Sequence, residues 1–237
     1  MNTGKEHILN RNLQKKSISN VTPFTLLDFP DRTACIVWFS GCNMRCAYCY
    51  NPDIVLGKGK YSFEDIRDFM GLRKEILDGV ILSGGECLMH DSVFDITGEL
   101  KNMGYLIKAD TNGSKPEMLE KLLNHQRLDY VALDFKAPDY KYFSVTQSDL
   151  YSKFEASFRL LKNSKIDFEV RTTIHSSLLN IADIEHMADT LSSWGYQGNY
   201  YLQYFRSYKS TLGNPGVCSF HGELNDISGK NLKIMFR

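Results

Sequence analysis

Six short apolar runs recur along this chain: Ala34–Phe39, Gly79–Leu82, Tyr105–Ala109, Tyr130–Leu133, Phe168–Ile174 and Tyr200–Tyr204. Between them lie segments whose apolar residues fall at helical spacing: Ser62–Leu77, Val93–Met103, Pro116–Leu123, Leu150–Leu161 and Ile181–Trp194. Ser62 is placed to cap the first of these helices, and Gly104 and Gly195 to end two others. Strands this short and apolar need cover on both faces, which is a property of parallel sheets, and the alternation implies right-handed crossovers. The expected fold class is α/β, with six strand–helix units forming a partial (β/α)6 barrel. Most polar and glycine-containing segments follow the strands, at the edge where such folds bind ligands.

The chain of 237 residues is long enough for one sizeable core. We expect a polar tail over residues 1–19, one domain over 20–205, and an extension over 206–237 packed on that domain. The tail carries Lys5, Arg11, Lys15 and Lys16 against Glu6, and solvation explains it best. Lys and Arg total 28, as do Asp and Glu, so no chain-wide basic field grips nucleic acid. No apolar run approaches the roughly 18 residues of a membrane span. The first twenty residues lack the apolar stretch of a signal peptide, so the cytoplasm is the expected compartment.

Three of the six cysteines are bunched at Cys42, Cys46 and Cys49, in a loop directly after the first run. Such bunching in a cytosolic chain points to a metal or to catalysis. A structural zinc site wants four ligands and a closed shell. A cubane iron–sulfur cluster held by three cysteines leaves one iron open. No second cysteine pair and no close histidine completes a zinc site, the next histidine downstream being His90. Spacing therefore favours the cubane and leaves zinc open.

Cys42-x3-Cys46-x2-Cys49, with Tyr48 just before the last cysteine, resembles the signature of radical S-adenosylmethionine (SAM) enzymes. The resemblance implies a [4Fe–4S] cluster on Cys42, Cys46 and Cys49, whose open iron takes the amino and carboxylate groups of SAM. It also implies one-electron cleavage of the sulfonium to methionine and a 5′-deoxyadenosyl radical. Four further segments fit it, in order along the chain. Gly84-Gly85-Glu86 resembles the motif for the SAM amino group. Asp110-Thr111-Asn112-Gly113 resembles the ribose and amino-acid contact segment. Asp134-Phe135-Lys136 puts Asp134 and Lys136 on one strand face, with Lys136 available for the SAM carboxylate. Arg171 lies inside an apolar strand and needs an anionic partner. Each segment alone has an ordinary structural reading as a turn or an ion pair; their joint order is the stronger signal.

Phe24–Pro30, Tyr50-Asn51-Pro52, Leu133–Pro138 and Phe168–Thr173 resemble the activating proteins of anaerobic ribonucleoside-triphosphate reductases. The resemblance runs from about Thr22 to Tyr204. It implies an oxidoreductase that generates a glycyl radical on a large partner, most simply the class III ribonucleotide reductase. An electron donor such as flavodoxin or ferredoxin is also implied, with no role for nucleic acid or membrane. Departures from the family are Cys87 where proline usually follows Gly-Gly-Glu, Tyr50 where histidine usually follows the third cysteine, and Gln203-Tyr204-Phe205 where related activases place a histidine. Competing readings are a 7-carboxy-7-deazaguanine synthase type of lyase, the activase of another glycyl-radical enzyme, and a zinc-stabilised binding module. Cys35 reads as a core residue, Cys218 as an ordinary thiol, and Trp38 and Trp194 as packing residues.

Overall fold

The computed structural model describes residues 11–220 and 232–237. Lys5 and Glu6 of the expected tail, and residues 221–231 of the expected extension, lie outside the described residues. The strands are β1 (Ile18–Thr25), β2 (Ala34–Phe39), β3 (Gly79–Gly84), β4 (Leu106–Thr111), β5 (Tyr130–Asp134), β6 (Asp167–Ile174), β7 (Asn199–Tyr204) and β8 (Lys233–Phe236). They follow one another in chain order in a mostly parallel, eight-stranded sheet. The helices are α1 (Pro52–Leu56), α2 (Phe63–Leu72), α3 (Ser92–Asn102), α4 (Pro116–Asn124), α5 (Asp139–Thr146), α6 (Tyr151–Asn163) and α7 (Ile181–Ser193). Strands β2 to β7 are the six apolar runs, and the class is α/β. No described helix is long and apolar enough to cross a membrane.

The chain divides into two units. The first takes residues up to Cys42, Asp53–Thr111 and Lys115–Val131; the second takes Asn43–Pro52, Asn112–Ser114 and Ala132–Arg237. In the first, β2, β3 and β4 run parallel, and β1 pairs antiparallel with β2. Ala34, Ile36 and Ile81 pack with Phe29, flanked by Trp38, Leu106 and Tyr130. Ser62 and Asp65 cap α2 reciprocally, as a capping box. That helix stops at Leu72, short of the expected Leu77. The Met70 carbonyl bonds the Arg73 amide, three residues on, and the buried Tyr105 hydroxyl at 2.6 Å, which satisfies the acceptor without another helical turn.

The expected tail is partly structural. Residues 11–13 are helical, β1 begins at Ile18, and Leu13 and Ile18 are buried in the first unit. A few apolar side chains among polar ones suffice to anchor the segment.

In the second unit, β6, β7 and β8 are parallel. Phe135, Phe154, Phe158 and Trp194 form an aromatic cluster, with the Phe135 and Phe154 rings stacked at 4.6 Å. Burial of such rings contributes about 1.5–3 kcal/mol each. Trp194 is a packing residue, as expected. Asn180 and Asp183 form a second capping box, at the start of α7.

Candidate functional site

The predicted residues fall into two constellations, one in each unit. In the first unit, β2 runs out at Phe39 and leads through Gly41 to Cys42. The Gly85 amide donates to the Phe39 carbonyl and the Glu86 amide to the Gly41 carbonyl, each at 2.9 Å. The Gly-Gly-Glu segment is thereby stitched to the backbone that delivers Cys42. A Cβ on Gly85 would stand 1.9 Å from the Gly41 carbonyl oxygen, and Gly84 has a φ of +122°. Both glycines are required by this close approach.

Glu86 is fully buried. Its Oε1 accepts from Thr111 Oγ1 at 2.8 Å and from the Leu88 amide at 3.1 Å, which also caps the short 3-10 turn Cys87–Met89. Asp110 accepts from Ser83 Oγ at 3.2 Å and is paired with Lys108, itself buried. Asp110 is one of the predicted site residues and Lys108 is not. The two stand two residues apart on β4, so strand alternation already puts them on one face. Cys87 is buried beside them, with its Sγ 3.4 Å from the Asp110 carbonyl oxygen, and burial pushes its thiol well up. Cys35 is a core thiol against Met70, pushed up to about 12 by burial.

The second unit holds Cys46, Tyr48 and Cys49. The Cys49 amide donates to the Cys46 carbonyl at 3.0 Å, so these two cysteines bracket a tight turn. Asn112 Oδ1 accepts from the Ser114 amide at 2.9 Å, and its Nδ2 donates to Asn43 Oδ1 at 3.1 Å. Asn43 in turn donates to Ser114 Oγ at 2.8 Å. Asn112 thus shapes its own turn and holds the start of the cysteine loop. Asn43 was not among the predicted residues, and no spacing in the loop would have marked it.

Asp134, Lys136 and Arg171 form one network. Lys136 Nζ donates to Asp134 Oδ2 at 3.0 Å, and Arg171 Nε donates to Asp134 Oδ1. Burial works against the Asp134 charge, but Arg171 and Lys136 outweigh it and hold the carboxyl below the usual carboxylate range. Burial likewise opposes the Lys136 charge, and Asp134 and Cys46 outweigh it. All three groups are therefore ionised near neutral pH. Two cations share the Asp134 carboxylate. Lys136 Nζ also lies 6.0 Å from the centre of the Tyr48 ring. The Cys46 thiol is raised by burial and lowered by Lys136.

Among the described residues no three His, Cys, Asp or Glu side chains converge as a single bound ion would need. A cubane does not ask for that, because each thiolate binds a different iron. The donor set of three cysteines outside any disulfide, the Lys136 charge beside Cys46 and the buried Tyr48 hydroxyl hydrogen-bonded to the Cys46 sulfur fit a thiolate-held cluster and a polar cofactor.

A family model described as the radical SAM superfamily matches residues 36–191. An inferred glycyl-radical enzyme activating enzyme of Methanocaldococcus jannaschii is 32% identical over 75% of this chain and 76% of its own length. A pyruvate formate-lyase-activating enzyme of Clostridium pasteurianum is 34% identical over 52% of this chain and 53% of its own length. Among solved structures, Streptococcus suis SuiB bound to SAM superposes with a TM-score of 0.57 at 11% identity, covering 76% of this chain and 44% of SuiB. This chain spans less than half of SuiB, and the likeness is one of fold.

Proposed function

The chain belongs to the radical SAM superfamily, in its branch of glycyl-radical enzyme activating enzymes, and from that premise we propose that it generates a glycyl radical on an anaerobic, class III ribonucleoside-triphosphate reductase. Its cofactors are a [4Fe–4S] cluster and SAM. Bound here, they would supply the one-electron reductive cleavage chemistry needed to take a hydrogen atom from a backbone glycine of the partner.

This chain's residues bind and orient. Cys42, Cys46 and Cys49 would hold the cluster through three thiolates. The observation that carries the reading is the Asp134–Lys136–Arg171 network: it holds the Lys136 ammonium beside Cys46 and near the Tyr48 ring, a position that suits the SAM carboxylate. Glu86 Oε1 is held by Thr111, and a carboxylate has further lone pairs for an ammonium group. Gly84 and Gly85 keep side chains out of the space beside Cys42. Asp110 and Asn112, fixed by Lys108 and Asn43, serve the ribose and amino-acid portions, and Tyr48 the cofactor's apolar face.

The reductase is chosen as target on the resemblance of Phe24–Pro30, Leu133–Pro138 and Phe168–Thr173. The match to a pyruvate formate-lyase-activating enzyme supports a second reading, in which the target is a lyase of that kind. In either reading the chain is an oxidoreductase acting in the cytoplasm, with flavodoxin or ferredoxin as electron donor.

The test is anaerobic incubation with SAM, a reductant and each candidate partner in turn. The reductase should develop a glycyl-radical doublet in its electron paramagnetic resonance spectrum, with about one deoxyadenosine formed per radical. A doublet on pyruvate formate-lyase alone moves the target. A silent pair of partners, with conversion of 6-carboxytetrahydropterin by this chain alone, replaces the activase with the lyase reading.

A further inference from the structure

The segment that leaves β7 returns to the cysteine loop and is tied to it along its length, all within the second unit. At its start, the Phe205 ring stacks on Tyr50 at 5.5 Å, and the Arg206 amide donates to the Tyr50 hydroxyl. In its middle, the Leu212 amide donates to the Cys49 carbonyl at 2.8 Å and the Gly213 amide to the Ala47 carbonyl at 2.9 Å. At its end, His175 Nε2 lies 3.3 Å from the Gly216 carbonyl oxygen, and the Ser219 amide donates to Ser176 Oγ at 2.8 Å. The buried His175 ring also meets Phe205 edge-on at 4.6 Å.

The middle tie leaves no slack. A Cβ on Gly213 would stand 2.9 Å from both the Cα and the Cβ of Ala47. Neither atom is the end of a flexible side chain, so a larger residue must push the two backbones apart. The two amides that meet there bond the carbonyls of Ala47 and Cys49, one on each side of Tyr48.

We infer that Phe205–Ser219 is a clamp on the cysteine loop and that Tyr50, Leu212 and Gly213 are positioning residues for the cluster, setting how firmly it is kept. This rests on the assignment of Cys42, Cys46 and Cys49 as cluster ligands. A cluster is lost when a thiolate swings off its iron and a competing ligand takes the place. That swing requires the loop backbone to move, and the clamp resists the movement through the backbone carbonyls of Ala47 and Cys49. Its C-terminal anchors, His175 and Ser176, follow directly on β6, so the loop is referred to the sheet of its own unit.

The experiment uses the full chain, reconstituted anaerobically, and follows iron release to an excess of bathophenanthroline disulfonate. Wild-type protein, Gly213→Val and Tyr50→Phe are compared; the phenylalanine keeps the stack on Phe205 and loses only the acceptor for the Arg206 amide. Iron and sulfide per chain should match at the outset. Release should be about tenfold faster in Gly213→Val, which breaks two backbone hydrogen bonds, and a few-fold faster in Tyr50→Phe. The spectrum of the reduced cluster should change shape in Gly213→Val, while the urea midpoint of the whole protein shifts little. If Gly213→Val does not fold, Tyr50→Phe and trypsin decide. Arg206 and Lys209 lie in the clamp, and cluster loading should slow cutting there several-fold. Release at the wild-type rate from folded variants, or cutting indifferent to the cluster, overturns the clamp. Wild-type protein that takes up no iron overturns the cluster assignment itself, and the clamp with it.

Discussion

Asp134 pairs with both Lys136 and Arg171, and its removal has a defined consequence. Asp134→Asn keeps the shape and takes from two partly buried cations the carboxylate they share. The variant should be less stable by about 3 kcal/mol at neutral pH, as expected when one member of a buried ion network is lost. Urea unfolding measures this, and Asp134→Asn combined with Lys136→Met should recover most of the loss. The pH dependence has a definite sign. A carboxyl whose native pKa is depressed adds stability that is complete above its unfolded value of about 3.9. That contribution is lost only as pH falls below this value toward the native one. From about pH 5 to 8 the gap between wild type and Asp134→Asn should therefore stay constant, and it should close in stronger acid. A gap that closes near pH 6 would show that Asp134 is not held ionised by these cations. The sequence announced Asp134, Lys136 and Arg171 through their strand positions. It did not announce that the partner of Arg171 lies within the chain, because pairing between β5 and β6 side chains has no local signature.

Strand β3 and the turn after it show how an element delivers a ligand. Gly84 and Gly85 lie against the backbone of Phe39 and Gly41, one residue before Cys42. Gly85→Ala places a methyl group where the Gly41 carbonyl oxygen now stands. The loop must shift, at a cost of about 1–3 kcal/mol for overpacking. Reconstituted Gly85→Ala should hold clearly less than the about four irons expected of an intact cubane, while its far-ultraviolet circular dichroism stays native. A full iron complement in that variant would mean that Gly85 does not set the path to Cys42. At this scale the sequence is readable where burial is two-sided. Strands β2 to β7 are built on short runs of buried apolar residues, and each emerges within two residues of its expected bounds. Strand β1 was missed because it mixes polar and apolar residues, and irregular register at Ile18–Asn20 and Thr22–Thr25 spoils its alternation. Helix α5 was missed because Asp139–Thr146 is short and its apolar face is weak. The cysteine loop is readable by spacing alone, but its fastening through Asn43, Asn112 and the clamp depends on contacts between residues distant in sequence.

For the whole molecule, charge balance governs how it meets a large partner. The chain carries 28 basic and 28 acidic residues, so at long range it presents little net field. Electrostatic steering raises association rates when opposite net charges face each other, and salt removes that gain. Here there is little such gain to remove. The surface does expose apolar side chains, among them Leu27 at 92%, Leu26 at 64%, Tyr140 at 62% and Phe143 at 64%. Apolar contact carries little ionic-strength dependence below molar salt, since exposed charges beyond about 8 Å are already screened at physiological strength. Association with the glycyl-radical enzyme proposed as partner should therefore change less than about threefold between roughly 50 and 300 mM salt. Titration calorimetry across that range gives the measurement, and it should also show the negative heat-capacity change of buried apolar surface. Leu27→Glu, which adds charge at a nearly fully exposed apolar position, should weaken binding if the docking face includes it, and should leave cluster content alone. A fall in affinity of ten-fold or more with salt would place the docking energy in a local charged patch, and would turn the search for the contact surface from Leu26 and Leu27 to the exposed lysines and arginines.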